Sequence, residues 1–259
     1  MVKSLAKSIA LASLLAFNSA LIGGAFPQSA QAESFSLLWS TNFNSLSSSN
    51  WNIYSNAAFG SSSNSCFMAS NAAVQNGFLK LAINKSANGC NRPYSAAGLD
   101  TYFNHAQNYG RWEVSAKFPT QQGVTGYIGL FVADGLSWPP EIDFAEALGR
   151  DPQTVYLTQH YALNGSHQQD GIAVTQPGID WSAGYHTYVV EWVPGQLRYY
   201  IDGILKLTQS QKFDAPPMQM KLAIGTGTGD CGGWVGCPVS SFDSDEMSID
   251  YVNIYQYNP

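Results

Sequence analysis

Three carboxylates within six positions, Glu141, Asp143 and Glu146, are the residues of this sequence best spaced for chemistry. In an extended strand, Glu141 and Asp143 face one side, and the apolar residues between the acids face the core. Strict alternation would turn Glu146 toward the core, where an unpaired charge is costly. One extra residue in the strand returns Glu146 to the acidic face, so we predict a β-bulge at Phe144-Ala145.

Paired carboxylates on one strand face can cleave glycosidic bonds. With a bulge between them, Glu141 and Glu146 could bring their carboxyl groups to the roughly 5–5.5 Å separation of retaining glycosidases. One acid would attack the anomeric carbon, and the other would protonate the leaving oxygen and then activate water. Asp143 between them disfavours simultaneous ionisation, which helps to keep one acid protonated. The spacing alone leaves two alternatives open, a solvated strand face and a calcium site.

Short β-branched and aromatic segments must position these acids. They lie at 78–83, 111–117, 186–192, 197–201 and 247–255, and clusters of Gly, Asn, Ser and Pro separate them. Asp202-Gly203 between two such segments predicts a β-hairpin. Helical periodicity is nearly absent, and many short strands with frequent turns predict an all-β sandwich or barrel. The last strand runs nearly to Pro259 and should pair within a sheet.

The N-terminus has the features of a secretory signal peptide. Lys3 and Lys7 form a positive start, a mostly apolar stretch follows, and an A-x-A cleavage pattern stands at 30–32. We predict that residues 1–32 are removed and that 33–259 form one secreted catalytic domain. A membrane anchor is the alternative, but no second hydrophobic span follows in the sequence.

Composition narrows the classes of partner. The formal net charge is −6, and the predicted leader holds two lysines, so the mature chain is more acidic still. An acidic surface argues against nucleic acid or an anionic membrane as a partner. Aromatic residues make up 13% of the chain, and their rings can line a sugar-binding cleft as well as a core.

The four cysteines fit disulfide bonds in an oxidising compartment. Three pairings are open, and we favour Cys66–Cys90 and Cys231–Cys237, each of which closes a loop. Metal binding is the alternative, but no histidine lies near either pair at the spacing of a zinc site.

Six segments in order resemble glycoside hydrolase family 16, the laminarinase, lichenase and agarase group. Residues 141–146, EIDFAE, look like the family's catalytic E-I-D-x-x-E motif, in the spacing of its laminarinase and agarase members. The other five segments resemble family strand motifs and lie at 76–81, 109–113, 185–192, 199–203 and 249–255. Each motif alone is unspecific, but six in the right order along nearly the whole mature chain are highly specific.

This resemblance implies a β-jelly-roll sandwich of two antiparallel sheets, with a concave cleft and retaining endo-hydrolysis of a β-glycan. By position, it makes Glu141 the nucleophile, Glu146 the acid/base and Asp143 the helper between them. It implies no required cofactor. Some family members hold a structural calcium ion, near residues that match Gly77 and Asp250 here.

The resemblance also implies residues that bind the substrate. Glu113 matches a position whose carboxylate binds a sugar hydroxyl next to the cleavage point. His160 resembles a cleft-lining aromatic residue or histidine. Trp138 and Trp234 are candidate stacking platforms, with packed structural tryptophans as the alternative.

A polysaccharide is the expected partner, with β-1,3-glucan as the first substrate hypothesis and a monomer as the expected state. Hydrolysis of agarose or another β-galactan, or of an acidic polysaccharide, is an alternative. Lys221, where the family often has asparagine, would favour an acidic sugar only if it faces the cleft. A transglycosylase and a non-catalytic carbohydrate-binding module are two others. The sequence has no G-x-S-x-G segment and no Gly-rich phosphate loop, which argues against serine hydrolases and nucleotide-binding proteins.

Overall fold

The computed structural model describes residues 33–55, 57–58, 63–85, 91–216, 219–229 and 231–259. The predicted signal peptide, 1–32, lies outside these residues. Within them, no helix has the length and apolar character needed to cross a membrane.

The described residues form β-strands and two short 3-10 helices, Ala69–Asn71 and Phe103–His105. In chain order, the strands are β1 (Ser34–Thr41), β2 (Asn52–Ile53), β3 (Ala57–Ala58), β4 (Ser65–Phe67), β5 (Ala72–Gln75), β6 (Phe78–Lys85), β7 (Tyr94–Ala96), β8 (Gly98–Asp100) and β9 (Gly110–Lys117). They continue with β10 (Val124–Val132), β11 (Glu141–Leu148), β12 (Thr154–Leu163), β13 (Ser166–Thr175), β14 (His186–Val193), β15 (Gln196–Ile201), β16 (Ile204–Ser210), β17 (Met220–Thr228) and β18 (Ser244–Asn258).

These strands build two sheets. The larger sheet has the order β16-β15-β14-β9-β18-β6-β7-β4-β3, with β1 added beside β18 and β5 beside β6. The smaller sheet has the order β13-β12-β11-β10-β17-β8-β2. Pairing is antiparallel except between β4 and β7, which run parallel. The predicted jelly-roll sandwich is confirmed, with one parallel pair in the larger sheet, and the C-terminal strand β18 is paired as expected.

Apolar residues from both sheets meet in one core. Leu81 and Trp112 of the larger sheet and Ile142 and Phe144 of β11 belong to the same cluster and have no exposed surface. Burying a large apolar side chain stabilises the fold by about 1.5–3 kcal/mol. Because β11 directs these residues inward, its acids are left on the opposite face of the smaller sheet.

Two-residue turns set the register of two hairpins. Asp202 and Gly203 have φ angles of 52° and 74° and join β15 to β16, which confirms the predicted hairpin. Asn164 and Gly165 have φ angles of 53° and 76° and join β12 to β13 in the same way. Turns of this kind need positive φ at both central residues, which Asn-Gly and Asp-Gly supply.

One of the two predicted disulfides lies in the loop between β17 and β18. Cys231 and Cys237 are bonded and enclose Trp234. Cys66 is also disulfide-bonded. Its predicted partner, Cys90, lies outside the described residues.

Candidate active site

The strand that carries the three acids is bulged where the sequence predicts it. On the β10 side, the register passes from Asp143 to Ala145 without a partner for Phe144. On the β12 side, it passes from Asp143 directly to Glu146. Phe144 and Ala145 both remain buried in the core. The bulge therefore returns Glu146 to the same face as Glu141 and Asp143, as the cost of burying its charge requires.

The three acids line one cavity of about 600 Å³ on this face of the smaller sheet. The cavity is bounded by side chains of three neighbouring strands and of the disulfide loop. Its lining residues are Glu141, Asp143, Glu146, Tyr156, Thr158, His160, Gln169 and Trp234. The structure thus brings together the predicted catalytic acids and two of the predicted substrate-binding residues, His160 and Trp234.

Different neighbours act on the pKa values of the two buried glutamates. Burial, followed by the charge of Glu141, raises the pKa of Glu146 to about 8, so Glu146 holds its proton at neutral pH. Burial also raises the pKa of Glu141, but hydrogen bonds from Trp138 and Asp143 oppose that rise by stabilising the ionised form. Such a pair suits acid and nucleophile roles, because each reaction step needs one protonated and one ionised carboxyl group.

Asp143 sits between the two glutamates with only 2% of its surface exposed. Burial and then the charges of Glu141 and Glu146 raise the pKa of Asp143 well above its usual range, and it shares a hydrogen bond with Glu141. A protonated Asp143 can therefore donate to an ionised Glu141. Asp143 thus lies between the two glutamates, and its role as helper stays a prediction.

His160 contacts Asp143 from the neighbouring strand β12. Its Nε2 lies 3.0 Å from Oδ2 of Asp143, although Oδ2 accepts no well-aligned hydrogen bond from the described residues. Catalytic hydrogen bonds are often poorly aligned before substrate binds. Burial, and then the neighbouring His167, lowers the pKa of His160 to about 4, so the imidazole is neutral over most of the working pH range.

Trp138 and Trp234 are both exposed, at 52% and 45%. Nε1 of Trp138 donates a hydrogen bond to Oε2 of Glu141. Trp234 lies edge-on to Tyr156, with ring centroids 5.0 Å apart, and its backbone carbonyl accepts a hydrogen bond from Arg150 Nη2 at 2.6 Å. Both indoles are free to meet a sugar, and neither is a packed core tryptophan.

Glu113 lies away from the cleft, and its predicted role does not fit its position. It belongs to β9 of the larger sheet, between the fully buried Trp112 and Val114, so its side chain points to the outer face. There its carboxylate pairs with Arg111 at 2.8 Å and accepts a hydrogen bond from Asn253 at 3.2 Å. Alternation in β9 sends Glu113 out of the sandwich, and the core separates it from the acids of the smaller sheet.

Lys221 does lie on the cleft face, because Phe131 is the direct partner of both Lys221 and Glu141 across β10. Its ammonium is 2.9 Å from Oδ2 of the buried Asp100. Asn52 donates to the same carboxylate oxygen at 3.2 Å. Since Asp100 already balances the charge of Lys221, this position gives little support to the hypothesis of an acidic sugar.

Sequence reasoning missed several cleft residues on β12 and β13. Tyr156 and Thr158 alternate with His160 along β12 and therefore share its face. Gln169 on β13 is the direct partner of His160. The alternation in β12 and the Asn-Gly turn after it are visible in the sequence and would have found them.

Two parts of the structure bear on cation binding. Among the described residues, one set of three potential ligands comes together, from Glu141, Asp143 and His160, with ligand atoms within 4.8 Å of one another. The set includes two of the predicted catalytic acids, so a cation there would compete with the proposed chemistry. Gly77 lies in the turn between β5 and β6, and Asp250 at the bulge of β18. A calcium ion near them stays a prediction.

The sandwich, its cleft and the bulged strand of paired glutamates define a glycoside hydrolase. The family model Glycosyl hydrolases family 16 matches residues 59–253, and the chain belongs to this family. The resemblance inferred from six short segments is confirmed.

Known relatives include enzymes named as a β-glycanase and a β-glucanase. The chain is 35% identical over 196 residues to endo-1,3-1,4-beta-glycanase ExsH of Rhizobium meliloti, covering 71% of this chain and 39% of that protein. It is 33% identical over 174 residues to a beta-glucanase of Paenibacillus macerans, covering 65% and 67%. The chain thus spans about two fifths of the length of the first of these relatives.

A similar solved structure is the catalytic domain of an endo-1,3-beta-glucanase (laminarinase) from Thermotoga petrophila. It superposes with a TM-score of 0.76 at 25% identity and covers 88% of this chain and 100% of that one. The laminarinase of Rhodothermus marinus, at 24% identity and a TM-score of 0.75, has the same fold.

Proposed function

We propose that this protein is a secreted endo-β-glucanase that hydrolyses internal β-glycosidic bonds by double displacement, with β-1,3-glucan as its first substrate. The observation that carries the proposal is the bulged strand β11. It places two glutamates with different proton affinities, and an aspartate between them, on the floor of one cleft.

In the first step, the ionised carboxylate of Glu141 attacks the anomeric carbon of the sugar. The bond from that carbon to the glycosidic oxygen breaks, and the proton of Glu146 moves to this oxygen, so one half of the chain leaves as an alcohol. The product is an ester between Glu141 and the remaining glycan. Trp138 and Asp143 donate hydrogen bonds that keep Glu141 ionised before the attack.

In the second step, the carboxylate of Glu146 accepts a proton from water as the oxygen of that water attacks the same carbon. The ester bond breaks, Glu141 regains its charge and Glu146 its proton, and the configuration at carbon is retained. Transient loss of the Glu141 charge in the ester relieves the repulsion that raises the pKa of Glu146. Glu146 can therefore act as a base in this step and as an acid in the first.

The relatives support the substrate class, since their names specify 1,3- and mixed 1,3-1,4-β-linkages. The open cleft with exposed tryptophans fits an internal stretch of polysaccharide, because flat sugar faces stack on aromatic rings. The balanced pair of Lys221 and Asp100 favours a neutral glucan over an acidic polymer.

Secretion and a monomeric state without a cofactor complete the proposal. The disulfide between Cys231 and Cys237 supports an oxidising compartment. N-terminal sequencing of the protein from a culture medium tests the predicted cleavage, and we expect a mature chain that begins at Glu33. An uncleaved, cell-associated protein would contradict it.

Reducing-sugar release from a panel of β-glucans, galactans and acidic polysaccharides tests the function, with Glu141→Gln as the matched control. We expect cleavage of β-1,3-glucan that the variant lacks. Products longer than the substrate would identify a transglycosylase instead. No cleavage of any polymer, together with equal glycan binding by both proteins, would indicate a binding module.

A further inference from the structure

His167, on the strand next to His160, has no role in the mechanism above, but it contacts His160 and Trp138 and acts electrostatically on Glu141. Its Nε2 lies 2.9 Å from Nδ1 of His160. The planes of the two rings are nearly parallel, with an angle of 19° and centroids 5.1 Å apart. The indole of Trp138 also packs against His167, with ring centroids 4.5 Å apart. Finally, the charge of His167 acts on Glu141 and favours its ionised form.

The fold explains how an exposed residue reaches the catalytic acids. The Asn164-Gly165 turn pairs Leu163 with Ser166, so His167 becomes the diagonal neighbour of His160 on the same face of the sheet. His167 is thereby the first residue of a chain of contacts that runs from β13 through His160 to Asp143 on β11.

The contact between the histidines restricts where the proton of His160 resides. A neutral imidazole has one N–H and one bare nitrogen. If His160 donated from Nδ1 to His167, its bare Nε2 would face the carboxyl oxygen Oδ2 of Asp143 at 3.0 Å. Because the proton of Asp143 is engaged in the hydrogen bond to Glu141, two lone pairs would then oppose each other in a buried place.

We propose that His167 is a positioning residue for glycoside hydrolysis, which donates its Nε2–H to Nδ1 of His160 and so holds the proton of His160 on Nε2, facing Asp143. The partner of the second ring nitrogen commonly fixes the tautomer of a functional histidine. With Nε2–H toward Oδ2, the proton of Asp143 is directed to Glu141, the proposed nucleophile. The inference rests on the proposed catalytic roles of Glu141 and Asp143.

The carboxyl groups that act on the two histidines come from β11. They are Glu141, whose ionised form the charge of His167 favours, and Asp143, which contacts His160. Gln168 donates to the backbone carbonyl of His167 at 2.7 Å, so it restrains the strand and leaves the imidazole nitrogens of His167 unaffected.

Two variants of equal length separate the donor from the ring. His167→Gln keeps an N–H that can reach Nδ1 of His160, and His167→Met has no donor; both lose the aromatic packing on Trp138. Loss of one hydrogen bond should lower kcat of the methionine variant about tenfold, with KM within about twofold because the cleft lining is intact. The glutamine variant should recover most of the loss.

Nitrogen-15 NMR of the full protein reads the tautomer of His160 without substrate. We expect a single Nε2–H form in the wild type and in His167→Gln, and a population of the Nδ1–H form in His167→Met. Equal kcat for all three proteins, or an equal loss in both variants with an unchanged tautomer, would overturn the proposal. If the wild type cleaves no β-glucan, the proposed function fails, and the tautomer measurement still decides whether His167 sets the proton of His160.

Discussion

Replacing Trp138 with phenylalanine removes one hydrogen-bond donor from Glu141 and keeps an aromatic surface for the sugar. In the wild type, Nε1 of Trp138 donates to Oε2 of Glu141 and lowers the pKa of that carboxyl group against the effect of burial. Without the donor, the pKa of Glu141 rises. The proposed mechanism needs ionised Glu141, so the acidic limb of the pH profile of kcat/KM should move to higher pH.

The size of this change follows from the exposure of the indole. A hydrogen bond to a charged group contributes about 1.5–3 kcal/mol, and about 1.4 kcal/mol corresponds to a tenfold change in an equilibrium. Trp138 is 52% exposed, so water replaces part of the lost donor and the lower value applies. We expect the acidic limb to move by about one pH unit, with a roughly tenfold lower kcat/KM below that limb and little change near neutral pH.

The assay is kcat/KM for β-1,3-glucan across the pH range, with Trp234→Phe as the matched control. Trp234 is also exposed in the cleft but lies against Tyr156 and makes no hydrogen bond from its indole to the acids. The control should change KM and leave the acidic limb in place. An unmoved limb in Trp138→Phe, or the same shift in both variants, would refute the assignment of Glu141 as the group that Trp138 keeps ionised.

Further predictions concern the acid, the buried ion pair and the cations. Glu146→Gln should lower kcat about 10²–10⁴-fold on β-glucan and abolish the basic limb of the pH profile near pH 8. An aryl glycoside whose leaving group needs no protonation should still form the ester. Equal losses on both substrates would contradict the role of Glu146 as the acid. Lys221→Met should lower the free energy of unfolding in urea by about 3 kcal/mol, because it leaves the carboxyl group of Asp100 buried without its cation, and Asp100→Asn in the same chain should recover part of this loss. A change under about 1 kcal/mol would show that the pair is dispensable. EDTA should leave hydrolysis unchanged, and a Ca²⁺-dependent rise in melting temperature that Asp250→Ala removes would establish the structural site.

The bulge in β11 was predictable from three residue types alone. In a regular strand, Glu146 would lie on the core side. Because burying its charge is costly, a strand with one inserted residue is the arrangement to expect. The same kind of argument located the Asp202-Gly203 hairpin, because few residues accept the backbone angles of such a turn. Both inferences depend on local chemistry that a single segment contains.

The role of Glu113 could not be predicted in this way. Alternation along β9 separates its inward residues from its outward ones, but it does not say which sheet the strand joins or which sheet carries the cleft. Lys221 needed the same long-range information, since its partner Asp100 is more than a hundred positions away in the sequence. His167 was within reach, because the Asn164-Gly165 turn fixes the register that brings it to His160.

Proton NMR of the first products of β-1,3-glucan hydrolysis tests the central claim, that Glu141 forms an ester with the glycan and Glu146 serves as acid and then base. Two displacements at one carbon retain its configuration, so the newly formed reducing ends should appear first as the β-anomer and convert to the α-anomer only by mutarotation. Initial appearance of the α-anomer would contradict the account, because it requires a single displacement by water and leaves Glu141 without the role of nucleophile.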